Sequence, residues 1–525
     1  MRRIIPAVVV VFFLYCAVWM SLALPYRLFP SDDDAFASYL AMDGARPTLA
    51  LIACSHHPVF VAWLQAVGRV WLWFSRDLQS VVGAQAVISN AALCAIVTAM
   101  IFFFTRSFPA ALAGAAVFGF SAWPVNYIFF SSYAPFTTMF STVCLWFLFL
   151  SRDCLPGRRD WYLAAAGACA ALFFWSCPSA LVMIALYCLL LLVLPDSPGL
   201  PRVRGSIRLF LKAFALVALP FAIYGSDRIW DHIFDNFIQQ GVSAELARPP
   251  ALSFFRIFSV YDPVFSAVFL AVSAVSAVFA FRRWNELGRR QRAIFAILLI
   301  VWAHSALVDI LPSTKLARTH FPVFPLAVIA TAGCAHILYG ALRRVRYRLL
   351  FLSCAGVLLA CSAWQGVALS SRIFHIRTDA PKYLQRYFND RTVYLLEEDD
   401  HSGMLDDWLR YDCRIKVISK NSLETIDFSG GQAALLLGPR GAGAGKSILS
   451  NYSLGDFYAD DILRQPRIAA LSRKVLPYYA YFPVFQFEEE SCLGAYFSLS
   501  RIDDSQDEKN LLLLYAPAVS GQGAR

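Results

Sequence analysis

The sequence predicts an all-α polytopic membrane domain of about eleven helical spans, followed by a soluble C-terminal α/β domain. Three observations predict it. Apolar residues make up 58% of the chain and charged residues 16%, with a mean hydropathy of +0.55, which leaves too few charges to cover a soluble globule of 525 residues. Arginines gather in short loops between long apolar runs. After about residue 371 the chain changes to short β-rich runs alternating with helical patterns.

Runs of bilayer-crossing length, roughly 17 to 25 residues, lie near 4–24, 80–104, 109–130, 133–150, 161–177, 179–194, 209–225, 263–281, 293–311, 321–340 and 349–369. Arg2 and Arg3 precede the first run as they would a signal peptide. That run is too long for a signal h-region, and no small-residue cleavage site follows before Pro25, so it reads as a retained span. With Arg2 and Arg3 cytoplasmic, alternation puts Arg106, the group Arg152, Arg158 and Arg159, the group Arg202, Arg204 and Arg208, the stretch Arg282 to Arg292 and the stretch Arg343 to Arg348 on one side. A miscount of one span would break this agreement downstream. The expectation is an integral protein of a bacterial inner membrane, N-terminus cytoplasmic and C-terminal domain outside. The net charge of +10 then reports topology and membrane lipid, not a nucleic-acid partner.

Most of the 13 cysteines sit inside apolar runs, where a thiol behaves as a small hydrophobe, and no CxxC pair suggests structural zinc. Cys54, Cys413 and Cys492 fall in the outer loops or the tail. The last two share a tail assigned to an oxidising compartment and are expected to form a disulfide.

Three segments fall on the outer side: a first loop over 25–79, a second over 226–262, and the tail over 372–525. Phe60 to Phe74 is aromatic-rich, too short and too charged to span, and suits an interfacial helix roofing a cavity at the membrane surface. In the tail, strands are predicted at Thr392 to Leu396, Ile415 to Ser419 and Ala433 to Leu437, with a helix over Met404 to Tyr411. Gly441 to Ser447 imitates a P-loop, but the position of its first glycine holds Arg440, so it reads as a flexible turn.

Ser31-Asp32-Asp33-Asp34 follows the first span and opens a helical pattern from Ala35 to Met42. Ser31 with Asp34 makes a capping-box-like start, and acids favour a helix N-terminus. A cap needs one acid, not three. Successive helical side chains diverge by roughly 100°, so one or two of Asp32, Asp33 and Asp34 face the cavity as candidate catalytic carboxylates. Lys315 and Arg318, with His320 nearby, stand at the outer end of the run over 293–311, against the positive-inside trend. Their i, i+3 spacing puts both cations on one helical face, where they either hold a donor phosphate or snorkel to headgroups. His304 and Asp309 lie in that run itself, where ionisable groups usually face a bundle interior or a watery cavity. Asp309 is close enough to the boundary to be interfacial. Asp227, Asp231 and Asp235 recur at i, i+4 beside His232, as a solvated face or, less simply, a cation site.

Together with the His57-Pro58 helix start, the many spans and the outer tail domain, the first-loop acids resemble the GT-C class of membrane glycosyltransferases, relatives of the protein O-mannosyltransferases and the lipid A aminoarabinose transferase. The resemblance covers the whole chain in architecture and rests locally on short motifs. It implies that an aspartate among Asp32 to Asp34, Asp33 first, deprotonates the acceptor. His57, Tyr133, His304 and Asp309 are candidates to line the cavity. Many relatives carry a further acid in the outer loop between spans three and four, whereas Tyr127 to Pro135 here carries none. A two-acid or metal-bridged site lacks its second carboxylate there; a divalent metal stays open as the one cofactor considered.

Sugar transfer from a polyprenyl phosphate needs a base for the incoming hydroxyl. The phosphate leaving group is already acidic and needs positive charge instead of a proton. The expected function is therefore hexosyl or pentosyl transfer from a polyprenyl-phosphate-linked sugar to a glycan, lipid or protein hydroxyl at the outer face, with inversion. Two alternatives stay open. A lipid-linked glycan flippase or transporter would usually show internal repeats, and none is visible. An O-antigen ligase or polymerase would rely more on arginines of its large outer loops.

Overall fold

The computed structural model describes residues 4–23, 57–75, 78–128, 133–153, 156–176, 180–193, 203–234, 252–310, 320–388, 392–396, 414–418, 422, 425–427, 433–437, 472–477 and 511–516. Asp32, Asp33, Asp34, Cys54, Asp235, Lys315, Arg318, Cys413 and Cys492 lie outside the described residues, as do the segments 404–411 and 441–447.

The described chain is mostly helix: α1 (Ile5–Ala23), α2 (Pro58–Trp71), α3 (Leu78–Thr105), α4 (Phe108–Phe120), α5 (Ala122–Asn126), α6 (Ala134–Asp153), α7 (Pro156–Ser176), α8 (Leu181–Val193), α9 (Val203–Phe234), α10 (Ser253–Tyr261), α11 (Pro263–Arg283), α12 (Arg289–Ile310), α13 (Phe324–Ala341) and α14 (Val345–Phe388). Single 3-10 turns stand at Trp284–Glu286 and Phe321–Val323. Where they are described, the predicted apolar runs fall on helix, apart from a break in the third, and helix is the form in which a spanning segment satisfies its own backbone. Among the described residues eight helices are long and apolar enough to cross a membrane, and α4 and α8 are shorter apolar helices.

The third run departs from its predicted form. It reads as one span over 109–130, yet α4 stops at Phe120. At 1.5 Å per residue α4 is about 20 Å long, roughly 10 Å short of a hydrocarbon core. Ser121 is extended, and its hydroxyl accepts the N–H of Trp123 to start the five-residue α5, every residue of which is buried. Non-helical backbone at such depth is tolerated where protein covers it or where it lines a hydrated cavity. Two other helices outrun their predicted ends: α9 continues to Phe234 despite Pro220, and α14 continues unbroken from Val345 to Phe388.

α3 packs against α1, α2, α4, α6, α12 and α13 and is the hub of the bundle. The spans in α3 and α13 are largely buried, whereas those in α1, α9 and α14 present most of their surface outward, as lipid-facing helices do. Two glycines permit close helix contact. A Cβ at Gly167 would collide with the Phe210 carbonyl oxygen, and one at Gly366 with that of Phe120.

In the tail, β1 (Thr392–Leu396), β2 (Arg414–Ile418), β3 (Ala433–Leu437), β4 (Ser472–Pro477) and β5 (Leu511–Ala516) form one sheet in the order β2-β1-β3-β5-β4. β1 lies parallel to β2 and β3, and β5 runs antiparallel between β3 and β4. The three predicted strands are the parallel core of this mixed sheet.

Candidate active site at the end of the bundle away from the arginines

The arginine clusters share one end of the bundle: the α3–α4, α6–α7, α11–α12 and α13–α14 connections. The opposite end holds the start of α2, α5, the start of α6, α10 and the turn that precedes α13.

Pro58 begins α2, a position where a missing N–H costs no hydrogen bond. The carbonyl of His57 accepts the Val61 N–H at 3.0 Å, and Phe60, Val61 and Leu64 bury one face of the helix. At its other end Trp73 and Phe74 are each 81% exposed, so α2 is the amphipathic helix predicted from Phe60 onward. The His57 ring lies 4.0 Å from that of Tyr133, tilted by 34°, and Trp63 stacks on Phe136 at 5.2 Å. Two predicted cavity residues from separate loops are thereby brought together, both buried.

A second pair forms across α12. His304 and His320 are buried, with ring centroids 6.0 Å apart and nearly perpendicular, and Phe254 of α10 stands 6.0 Å from His320. The Asp309 carboxylate, on the same helix as His304, accepts the Leu252 N–H at 2.7 Å. Leu252 adopts φ 66, a left-handed conformation unfavourable for leucine, immediately before α10. Asp309 thus fixes the start of α10.

Between the two pairs runs an aromatic wall. Trp123 stacks on Tyr261 at 5.3 Å and 6°, and its ring also meets Phe254, Phe258, Phe321 and Phe324. Tyr127 meets Phe321 edge-on at 4.8 Å. The turn Phe321–Val323 packs on α6, which begins beside Tyr133, so the wall joins one histidine pair to the other.

Asp262, which sequence reasoning treated only as a loop boundary, is buried at 5% exposure and accepts a hydrogen bond from Ser121 at 2.5 Å. Burial pushes its carboxyl up to about 7, and the hydrogen bonds from Ser121 and the Ala122 N–H pull it part of the way back. An acid therefore does reach the α4–α5 corner, supplied by a segment 141 residues away along the chain. No local pattern could have shown this pairing. Among the described residues no three His, Cys, Asp or Glu side chains stand close enough to hold a metal ion. What the described part of the site offers is imidazole, phenol, hydroxyl and amide groups between aromatic faces, suited to hydrogen-bonding a polar ligand while excluding water.

Neither any family model nor any curated protein matches this sequence. Solved structures do match. The aminoarabinose transferase ArnT from Cupriavidus metallidurans bound to undecaprenyl phosphate superimposes with a TM-score of 0.55 at 13% identity, over 99% of this chain and 99% of that one. Its apo form gives 0.53 at 13% identity, over 90% and 96%. The archaeal oligosaccharyltransferase AglB from Archaeoglobus fulgidus, in complex with an inhibitory peptide and a dolichol-phosphate, gives 0.50 at 10% identity, over 82% and 69%. The fold of this chain is that of the GT-C membrane glycosyltransferases.

Proposed function

We propose that the protein transfers a sugar from a polyprenyl-phosphate donor to an acceptor hydroxyl at the end of the bundle that holds His57, Tyr133, His304 and His320. The observation that carries this reading is the end-to-end match to an ArnT structure that holds undecaprenyl phosphate, in a chain whose own polar and aromatic groups gather at one end. One first-loop aspartate, Asp33 before Asp32 and Asp34, takes the acceptor proton as the acceptor oxygen attacks C1 of the sugar. The bond from C1 to the phosphate oxygen breaks, the configuration inverts, and the polyprenyl phosphate leaves as the anion. Lys315, Arg318 and His320 stabilise that anion; the cations matter more as charge builds on the leaving oxygen.

The test is purified protein in detergent with a panel of polyprenyl-phosphate hexoses and pentoses, comparing wild type with Asp32→Asn, Asp33→Asn and Asp34→Asn. Each substitution keeps size while removing basicity, so the base is identified by lost turnover with donor binding retained. Arg318→Ala should weaken donor binding as well, because the ground-state phosphate is already charged. Full transfer by all three Asn variants would remove the base from this loop. Lipid scrambling without transfer would replace the transferase reading with a flippase.

A further inference from the structure

The buried polar atoms near this site form a pattern of their own. Ser89 Oγ and Asn90 Oδ1 of α3, Asn126 Oδ1 of α5, Thr138 Oγ1 of α6 and His304 Nδ1 of α12 are all buried without a hydrogen-bond partner among the described residues. An unmet buried polar atom costs about 1 to 3 kcal/mol, and native proteins keep few of them. α3 is common to them: it packs against α6 and α12, and its Asn90 reaches the α5 backbone directly.

Asn90 is the most informative. Its Nδ2 donates to the Ala86 carbonyl at 3.1 Å and to the Pro124 carbonyl at 3.3 Å. Both amide hydrogens are thereby used, and two carbonyl acceptors fix which side of the amide is nitrogen. Oδ1 is left as a locked acceptor in a fully buried position. A phosphate oxygen has no hydrogen to give it, and an anion would be repelled by it. A hydroxyl fits. Asn126, buried beside Asn90's Pro124 contact, likewise presents an amide oxygen unmet among the described residues.

We infer that Ser89, Asn90 and Asn126 form a subsite for an uncharged polyhydroxylated ring, receiving its hydroxyl hydrogens, apart from the cationic groups that take the phosphate. This deepens the proposed function and rests on it for the identity of the ring as a sugar of the reaction, donor or acceptor.

The experiment measures binding to detergent-purified full-length protein of three probes: undecaprenyl phosphate, undecaprenyl-phosphate hexoses and pentoses, and free methyl glycosides. The variants are Ser89→Ala and the double variant Ser89→Ala with Asn126→Leu, close in size to the native side chains and removing oxygens that have no hydrogen-bond partner among the described residues. Wild type is expected to bind its preferred sugar-bearing lipid at least tenfold more tightly than the bare lipid phosphate. The double variant should lose that increment while binding the bare lipid phosphate as before, which also shows that it is folded. A methyl glycoside that competes with the sugar-bearing lipid places the donor's sugar in the subsite; one that binds alongside it, and is lost in the double variant, places the acceptor's sugar there. Unchanged affinity of the double variant for every probe overturns the subsite and leaves these atoms merely hydrated. If wild type binds neither lipid, the transferase reading fails separately, and the subsite then stands on glycoside binding lost in the double variant or falls with its absence.

Discussion

The two ends of the helical bundle solve opposite problems. At the arginine-rich end, most charges sit near the surface and each of these has a partner: Arg290 pairs with Asp153 at 3.2 Å, Arg152 donates to the Leu191 carbonyl at 2.8 Å, and the buried Arg159 donates to Ser206. Connections are tight, as at Arg106, whose φ of 55 turns α3 into α4 in two residues. Guanidiniums also cover rings, Arg106 and Arg290 both standing over Phe103. At the other end α4 stops short, α5 is buried whole, and an acid, three imidazoles and several amide and hydroxyl groups are withdrawn from water. The first end carries its charges at little cost. The second holds groups whose burial the proposed substrates would explain, and functional sites are the usual place for local rules to be broken.

The largest expected effect of this contrast is on turnover. One of Asp32→Asn, Asp33→Asn or Asp34→Asn should lower the transfer rate by about 10²- to 10⁴-fold, whereas neutralising an arginine at the other end should not. Next in size is a matched pair of glycine substitutions. Gly366→Ala sets a methyl group against the Phe120 carbonyl, next to the Ser121 corner, and should cost about 1 to 3 kcal/mol of stability along with activity. Gly340→Ala, with open space around it on α13, should be neutral or slightly stabilising through helix propensity. Thermal unfolding in detergent reads both. Equal effects of the two would mean that the corner is not tightly seated against α14.

The same contrast decides what could be read in the sequence. Apolar runs and alternating arginines gave the helices and the arginine-rich end, because span length and charge placement are local properties. His57 ahead of Pro58 and His304 inside an apolar run were visible as single residues, since a proline start and an intramembrane imidazole each break a local expectation. Tyr133 and His320 were also named, but that they pair with His57 and His304 was not visible, because those pairings arise through packing. Asp262 before Pro263 looks like an ordinary acid ahead of a helix; its Ser121 partner lies at the break in α4. Pro124, in the middle of the run read as one span, was the signal that could have located that break. Asn90 and Asn126 are lone amides in apolar stretches, and only the fold shows that Asn90 has both amide hydrogens used and its oxygen unmet among the described residues.

Asp262 offers a smaller and pH-dependent effect at the same corner. Its carboxyl, pushed up to about 7 from 3.8, is native-like when protonated. The contribution to stability is therefore full below about pH 3.8 and is lost as pH rises through about 7, on the order of a few kcal/mol in all. Asp262→Asn removes the titration. The unfolding midpoint of wild type relative to this variant should fall between pH 4 and 7 and level off above pH 8 or so. A difference that stays flat across that range would mean that the carboxyl is hydrated and ionised throughout.

The smallest effects belong to the arginine-rich end, and they test the contrast from its weaker side. The Arg290 and Asp153 side chains are 36% and 23% exposed, and exposed ion pairs contribute roughly 0 to 1 kcal/mol because water and salt screen them. Arg290→Gln should stay within that range and leave turnover within about twofold. Asp153→Asn should cost more than Arg290→Gln, because it leaves the Arg106 and Arg290 guanidiniums over one Phe103 ring with their shared acid gone. Combining the two substitutions should recover part of the loss, since removing either guanidinium relieves that repulsion, and raising salt toward 1 M should shrink the difference as the screening length falls to about 3 Å. Melting curves of the two single variants and the double variant give the cycle. A tenfold fall in turnover for Arg290→Gln in protein that melts normally would mean that this end takes part in the reaction, and the division of labour between the two ends would be lost.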